Sequence, residues 1–414
     1  MSNPVINIYT LTSPIHNEKE IEGATQQWLG AIEAVIGEGI LHNCADDYST
    51  YGNADLSIIY IRTGGTESLF KQLYENNTLI KQKTVLLLTS GKSNSLAASM
   101  EILSWLRTQE ADGEILHGTA EYVAQKIMRL AKVSIAFREL NGKKIGIIGK
   151  PSDWLIASYY DTNTIRNKLG IETEEIEMQE LLTEIHKHDY PIDARKRLQT
   201  CPSDFFIGAL EIYGALKRIV TRHNLNALTL RCFDLLSSVH NTGCLALALL
   251  NQEGIPSGCE GDVPALITMM ISQALTGETG FQANPSRIDP NKGEFVFAHC
   301  TIPLNMVTSY EYDTHFESGI GVAIRGKMPL GTVTLAKFSG DLQRFYFAQG
   351  QLLENLQEKQ LCRTQIKVSL PDSAAYFLKR PIGNHHIILR GAQQELFEEF
   401  VNALIINETL PQTT

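Results

Sequence analysis

The sequence predicts an α/β protein in three parts: two Rossmann-like domains, each a doubly wound parallel sheet, and a β-rich C-terminal domain with an antiparallel, barrel-like sheet. First, short apolar runs alternate with longer amphipathic segments over most of the chain, which is typical of a parallel sheet covered by helices. Second, this alternation restarts after an Asn-Gly turn at 141–142. Third, short β-like runs separated by glycine and proline dominate after residue 284. The predicted domains are 1–138, 139–281 and 282–414.

In the first domain, three predicted strands are each followed by a helix, and a further helix closes the domain. The strands are predicted at 5–10, 56–61 and 84–88, and the helices at 18–36, 67–74, 95–108 and 120–138. The turns 62–66 and 89–93 follow strands, where open parallel sheets bind ligands. The second turn contains G-K-S, but a phosphate-binding loop needs glycine where Leu86 stands, so no nucleotide site is predicted.

The second domain starts with a buried strand and a polar loop, 149–154, and the third is built mostly from short strands. Second-domain strands are predicted at 144–148, 175–177 and 228–230, and helices at 161–169, 178–188, 204–222 and 243–252.

Third-domain strands are predicted at 294–300, 321–325, 332–338, 344–347, 365–368 and 387–389, followed by one helix at 392–405.

Composition excludes several classes of protein. The 414 residues carry a net charge of −10, which argues against a nucleic-acid groove because such a groove needs a basic surface. The longest apolar runs are strand-sized, so no membrane span is expected, and the N-terminus lacks the pattern of a signal peptide. Seven dispersed cysteines fit reduced thiols better than a disulfide framework. A cytoplasmic protein is expected.

Candidate functional residues concentrate between 255 and 300. Glu260 lies in a glycine-bracketed turn, where its carboxylate gains nothing obvious from local structure. Asp262 precedes Val-Pro, and its position predicts a helix N-cap. Asn284 lies in a second polar turn, and His299 ends a strand that also carries two phenylalanines on the same face. A lone histidine on an apolar strand face is usually a core residue, so His299 alone does not indicate a site.

His385 and His386, in the segment G-N-H-H, give the functional interpretation more weight. Adjacent strand residues point to opposite faces, so at most one of this pair is expected to face a given site. One glutamate, a second oxygen donor and two histidines suit Mn²⁺ or a similar divalent cation. Such a site can bind an open-chain sugar while neighbouring acids move a proton between C1 and C2.

These motifs resemble those of the L-fucose isomerase and L-arabinose isomerase superfamily, as does the order of the three domains. The E-G-D turn at 260–262 is similar to that family's first metal-ligand glutamate, F-A-H-C to its histidine strand, and G-N-H-H to its C-terminal ligand motif. The resemblance implies an aldose–ketose isomerase with Glu260, Asn284, His299 and one of His385 and His386 around Mn²⁺. It also implies a trimer or hexamer, with loops 62–66 and 89–93 lining a neighbour's site.

One departure from the family pattern leaves a second hypothesis open. Where the family has a carboxylate that also acts as base, this chain has Ala283 and Asn284. An amide oxygen can bind a metal but cannot take up a proton as a carboxylate does. Either another base, such as Glu278 or Asp289, replaces it, or the chain is a non-catalytic sugar-binding or regulatory relative.

The substrate is expected to be a free pentose, deoxyhexose or modified hexose. Five basic residues could serve an acidic or sulfonated sugar, although exposed basic residues are usually only solvated. They are Arg62, Lys92, Lys150, Arg325 and Arg390. A periplasmic-type solute-binding protein would share the paired α/β domains, but the absence of a signal peptide and the β-rich third domain count against it.

Overall fold

A computed structural model describes residues 3–409 and divides the chain into two compact units. The first unit comprises the residues up to Ala136 together with those from Glu399 onward, and the second comprises Phe137–Glu398. The second parallel sheet and the barrel both belong to the second unit, so the predicted boundary near 282 stays a prediction. None of the described helices combines the length and apolar character that a membrane span requires.

The first unit contains a five-stranded parallel sheet in the order β2-β1-β3-β4-β5. Its elements are β1 (Ile6–Leu11), α1 (Glu18–Ile36), β2 (Leu41–Ala45), β3 (Leu56–Ile61), α2 (Glu67–Asn76), α3 (Thr78–Lys81), β4 (Val85–Leu88), α4 (Ser95–Thr108), β5 (Gly113–Leu116) and α5 (Ala120–Leu140). One face of the sheet packs against α1 and α5, and the other against α2, α3 and α4. The edge strand β2, L-H-N-C-A, is mostly exposed and polar, so no apolar run in the sequence indicated it.

The second unit begins with a four-stranded parallel sheet in the order β7-β6-β8-β9. Its elements are β6 (Lys144–Ile148), α6 (Thr162–Leu169), β7 (Glu172–Ile176), α7 (Met178–Ile185), α8 (Ile192–Arg197), α9 (Phe206–His223), β8 (Ala227–Leu230), α10 (Asp234–Ser238), α11 (Cys244–Gln252), β9 (Ser257–Cys259) and α12 (Val263–Thr276). Strand β9 has only three residues, and it ends directly before Glu260.

A closed six-stranded antiparallel barrel follows in the same unit, in the order β10-β11-β16-β15-β14-β17. The remaining elements of this unit are β10 (Phe281–Asp289), β11 (Glu294–His299), β12 (Ser309–Asp313), β13 (Ala323–Lys327), β14 (Gly331–Phe338), β15 (Phe345–Asn355), β16 (Thr364–Ser369), α13 (Ala374–Lys379) and β17 (His386–Arg390). The last helix, α14 (Gln394–Thr409), begins in this unit, and its residues from Glu399 onward belong to the first. Strands β12 and β13 form a separate hairpin. The structure thus confirms the α/β class, with parallel sheets first and an antiparallel barrel later in the chain. All seven cysteines are free.

Candidate metal centre

Glu260 is placed by the end of the short strand β9. The backbone leaves the sheet through two consecutive left-handed residues, Glu260 at φ 64° and Gly261 at φ 71°. This conformation is uncommon for a residue other than glycine, and backbone hydrogen bonds hold it here. The carbonyl of Glu260 accepts from the amide of Ser152 at 2.9 Å, and the amide of Gly261 donates to Leu230 at 3.0 Å. The turn therefore directs the Glu260 side chain away from the sheet.

Two histidines from the barrel meet this carboxylate. His299 is the last residue of β11, and His385 immediately precedes β17. The Nε2 atoms of His299 and His385 lie 3.9 Å and 3.5 Å from Oε1 of Glu260. One potential ligand atom from each residue lies within 4.8 Å of the others, and all three residues are buried. This group could hold a metal ion.

The far nitrogen of each imidazole has its own partner. Nδ1 of His385 lies 2.8 Å from Oδ2 of Asp262, and Nδ1 of His299 lies 3.0 Å from the hydroxyl of Thr301. Metal-binding histidines usually have such a partner, which fixes the ring orientation and leaves Nε2 facing the metal. Asp262 also accepts the amide of Ala265 at 2.8 Å, which confirms the predicted N-cap of α12. Its contact with His385 was not predicted.

Lys337, which was not predicted as a site residue, lies behind Asp262. Its side chain is 1% exposed, its Nζ lies 3.9 Å from Oδ2 of Asp262, and it forms no hydrogen bond with any described residue. A signal was present in the sequence, because Val333, Leu335 and Lys337 share one face of β14 by the two-residue period. A lysine on an apolar strand face is a strong indication of a special environment.

The buried charges shift one another's ionisation. Burial by itself would raise the pKa of Glu260, but the imidazoles of His299 and His385 hold it well below its usual range. Burial likewise opposes ionisation of Asp262, whose pKa is nevertheless lowered by Lys337 and His385. For His385, burial lowers the pKa, yet the hydrogen bond to Asp262 and the nearby carboxylate of Glu260 raise it to about 9. Both carboxylates are therefore ionised at neutral pH.

Trp154 completes the environment of Glu260 and was also missed. Its indole Nε1 donates a hydrogen bond to Oε2 of Glu260 at 2.6 Å. The loop that carries Trp154 is attached to the sheet by Arg231, which donates to the carbonyl of Pro151 at 2.6 Å and to Asp153 at 2.9 Å. No motif in the sequence connects Trp154 with a glutamate so distant along the chain.

The other two candidate residues take different places. Asn284 lies on β10, and its side-chain oxygen accepts a hydrogen bond at 3.2 Å from Asn384, the neighbour of His385. His386 lies outside the Glu260, His299 and His385 group, because its Nε2 bonds the hydroxyl of Tyr376 and its Nδ1 the carbonyl of Asn384, both at 2.9 Å. Burial also lowers the pKa of His386 to about 3. The adjacent histidines thus face different surroundings.

Several alternative site residues are engaged elsewhere. Glu278, one of two candidate bases, forms an ion pair with Arg390, and Asp313 forms one with Arg325. Two of the five candidate cations therefore already have a carboxylate partner. Asp289, the other candidate base, accepts backbone amides in the turn after β10.

No protein-family model matches the chain. Among curated proteins, the chain is similar to sulfoquinovose isomerase of Priestia aryabhattai, with 22% identity over 304 residues, which is 68% of this chain and 67% of that protein. It is 26% identical over 191 residues to sulfoquinovose isomerase of a Clostridium strain, MSTE9, covering 44% of this chain and 42% of that one. It is also 22% identical over 221 residues to sulfoquinovose isomerase of Alkalicoccus urumqiensis, which is 50% of this chain and 49% of that protein.

These relatives confirm the prediction that the chain is an enzyme of the aldose–ketose isomerase type. Their shared name also supports the broader prediction of a sugar isomerase. The narrower resemblance to the L-fucose and L-arabinose isomerase superfamily stays a prediction.

Proposed function

We propose that this protein is a metal-dependent aldose–ketose isomerase that acts on a sulfonated hexose, with sulfoquinovose as the first candidate. The substrate is suggested by the shared name of the relatives. The metal is suggested by one observation above all, the convergence of Glu260, His299 and His385 at a buried point. The predicted Mn²⁺ and the predicted trimer or hexamer remain part of the proposal.

The residues present fit a divalent cation. Nε2 of His385 is fully buried and forms no hydrogen bond with a described residue, although the Glu260 carboxylate lies nearby. A buried polar atom without a partner costs about 1–3 kcal/mol, so a bound cation would supply the missing interaction. Two imidazole nitrogens and a carboxylate oxygen suit Mn²⁺, Fe²⁺, Co²⁺ or Zn²⁺.

The proposal gives each residue of the candidate site a role. Glu260, His299 and His385 hold the cation, which when bound polarises the carbonyl and the adjacent hydroxyl of the open-chain sugar. The lowered pKa of Glu260 suits a ligand better than a general base, which works best with a pKa near the operating pH. Asn284 accepts a hydrogen bond from Asn384, the residue before His385, and in this proposal it offers its amide to a sugar oxygen or to the cation.

Turnover assays test the proposal. Purified protein, stripped of metal and then supplied with Mn²⁺, is expected to convert sulfoquinovose to its ketose and to convert glucose, which has a hydroxyl in place of the sulfonate, much more slowly. Glu260→Gln should abolish turnover, whereas Glu172→Gln, an exposed glutamate on β7, should not change it. Full activity in Glu260→Gln would refute the proposal that Glu260 holds a catalytic metal. Equal rates on both sugars would refute the proposal that the enzyme is specific for a sulfonated hexose.

The departure at Asn284 motivates an alternative that the isomerase relatives count against, a non-catalytic sugar-binding protein. This alternative predicts that the wild-type protein binds sulfoquinovose in calorimetry without turnover at any Mn²⁺ concentration. Asn284→Asp restores the carboxylate of the family pattern. Under this alternative the variant should nevertheless remain inactive, because other catalytic groups are also missing. Turnover by the wild-type protein would exclude the alternative.

A further inference from the structure

Trp154 has an unusual combination of contacts that the proposed chemistry does not yet use. Its indole N–H points inward to the buried Glu260, while its side chain is 51% exposed. A single exposed aromatic ring is normal on a protein surface, so the exposure of Trp154 gains significance only from the hydrogen bond of the same side chain to a buried carboxylate. The ring thus lies at the boundary between the candidate metal centre and solvent.

The hydrogen bond from Trp154 distinguishes the two oxygens of Glu260. Oε2 accepts the indole N–H at 2.6 Å, whereas Oε1 lies 3.5 Å from His385 Nε2 and 3.9 Å from His299 Nε2. The indole thus orients Oε2, and Oε1 is the oxygen that lies near both imidazoles. Oε1 is therefore the oxygen placed to meet a cation held between the histidines.

The position of the indole is fixed from both sides. Its ring packs edge-on against Phe233, with centroids 4.8 Å apart, and Phe233 packs edge-on against His315 at 5.5 Å. Arg231 anchors the loop at Pro151 and Asp153. The ring therefore does not depend on Glu260 alone for its orientation, and it can offer a rigid surface at little entropic cost.

We propose that Trp154 has two functions at this site: its N–H positions Glu260 as a one-oxygen metal ligand, and its exposed ring binds the C–H face of the sugar. Tryptophan combines a large apolar surface with one polar atom, and sugar-sized ligands bind in pockets that combine aromatic side chains with a few directed polar groups. This inference rests on the proposed function, since the sugar and the metal come from it.

Two substitutions separate the two functions. Trp154→Phe keeps an aromatic ring and removes the N–H, so Mn²⁺ affinity measured by calorimetry should fall about 10-fold or more, while the KM for the sugar changes little. Trp154→Leu removes both, so it should lower Mn²⁺ affinity equally and also raise KM. Trp105→Phe, a tryptophan of the first unit that packs on Tyr74, is the matched control and should change neither quantity. Wild-type Mn²⁺ affinity in Trp154→Phe would overturn the first function, and wild-type KM in Trp154→Leu would overturn the second.

Fluorescence gives a second measurement that does not depend on any substitution at position 154. The chain has three tryptophans, so the variant Trp28→Phe/Trp105→Phe leaves Trp154 as the only one. Its emission should be quenched by Mn²⁺ and should shift to shorter wavelength when sugar covers the ring. Unchanged emission under saturating Mn²⁺ and sugar, in a variant that still turns the sugar over, would contradict the proposal.

The outcomes also distinguish this inference from the proposed function. If the wild-type protein turns over no sugar but Trp154→Phe still weakens Mn²⁺ binding, the isomerase proposal fails and the positioning role stands. If the wild-type protein is an active isomerase and both Trp154 variants match it in Mn²⁺ affinity and KM, the isomerase proposal stands and Trp154 has neither role.

Discussion

At the scale of single residues, Asp262 joins the fold to the candidate site. One carboxylate oxygen caps α12 through Ala265, and the other accepts the Nδ1–H of His385. The capping function alone would be satisfied by serine, threonine or asparagine. The contact with His385 uses a second oxygen atom of the same side chain, and of these capping residues only aspartate has two side-chain oxygens.

We expect Asp262→Asn to preserve the helix cap and weaken metal binding. The single amide oxygen of asparagine would cap the helix, so its NH₂ group would face His385 Nδ1 and favour the ring tautomer that protonates Nε2. Mn²⁺ affinity measured by calorimetry should fall about 10- to 100-fold. Asp161→Asn, which changes the cap of α6, is the matched control and should leave the affinity unchanged.

The effect of Asp262→Asn on stability can be separated from its effect on metal binding. Lys337 loses its nearest carboxylate in this variant, and an unpaired buried charge is strongly destabilising. The double variant Asp262→Asn/Lys337→Met removes both charges and should recover part of the free energy of unfolding without recovering Mn²⁺ affinity. Recovery of both quantities would show that Asp262 acts only through folding.

Residues whose local context is informative could be predicted from the sequence, and those defined by distant contacts could not. Glu260 was conspicuous because a carboxylate in a glycine-bracketed turn has no local partner, and Asp262 because Asp-Val-Pro is typical of an N-cap. The bond between Asp262 and His385 joins residues 123 positions apart, and no periodicity encodes it. Trp154 was missed for the same reason, and Lys337 because its strand was recognised by its apolar residues alone.

At the scale of secondary-structure elements, the turn after β9 determines where Glu260 lies. Gly261 has φ +71°, and a Cβ built there would lie 2.7 Å from Cα of Pro151 and 2.8 Å from the carbonyl oxygen of Lys150. Both contacts are with backbone, which cannot move aside as a flexible side chain can. The close approach brings the Trp154 loop against the Glu260 turn.

Gly261→Ala should therefore destabilise the protein and displace this loop. The left-handed conformation alone costs about 1–2 kcal/mol for alanine, and the clash should add about 1–3 kcal/mol. Gly142→Ala is the matched control, because Gly142 has φ +78° and a Cβ added there would meet nothing within 4 Å. Chemical denaturation should show the larger loss for Gly261→Ala, and equal losses in the two variants would mean that the loop yields without cost.

A second group of elements is joined by His223, at the end of α9. The helix dipole favours basic residues at this end of a helix, and the structure adds specific partners. Nδ1 of His223 lies 2.9 Å from Glu174 on β7, and Nε2 lies 2.9 Å from Glu180 on α7. The hydrogen bond to Glu180, and then that to Glu174, raises the pKa of His223 against the opposing effect of burial.

This arrangement predicts a pH-dependent contribution to stability. Because the pKa of His223 is higher in the folded than in the unfolded state, its contribution is fully present below the unfolded value of about 6.5 and is lost as pH rises through the folded pKa. The loss of stability in His223→Gln, measured by urea unfolding, should thus be largest at acidic pH and shrink as pH rises. His188→Gln is the control, because His188 contacts Glu211 but is 68% exposed, and its effect should be small throughout.

Elements with long apolar runs were predicted well, and those stabilised mainly by their neighbours were not. Strand β4 is completely buried and reads as a continuous apolar run, as parallel strands do. Strand β9, S-G-C, has too few residues for any periodicity, and only its pairing with β8 makes it a strand. This matters for the site, because the strand that places Glu260 is one that the sequence did not reveal.

At the scale of the whole molecule, the candidate metal centre connects distant parts of the second unit. Glu260 follows the parallel sheet, whereas His299 ends one strand of the barrel and His385 immediately precedes another. A cation bound by all three residues would join the sheet to the barrel. Since the unfolded chain does not hold these residues together, binding energy would become folding energy.

We therefore expect Mn²⁺ to stabilise the folded protein and chelation to reverse the effect. Binding to the folded state alone, at a free concentration about 100 times Kd, adds about 2.7 kcal/mol to the free energy of unfolding and raises Tm. The rise should disappear in Glu260→Gln. Hydrogen exchange should slow on Mn²⁺ addition in peptides that cover 257–262, 296–301 and 383–387, while β7 and α7, which contribute no residue to the centre, serve as internal reference. A Tm that rises equally in wild-type protein and Glu260→Gln would show that Mn²⁺ binds elsewhere, because the protection conferred by this centre requires the carboxylate that joins the sheet to the two barrel histidines.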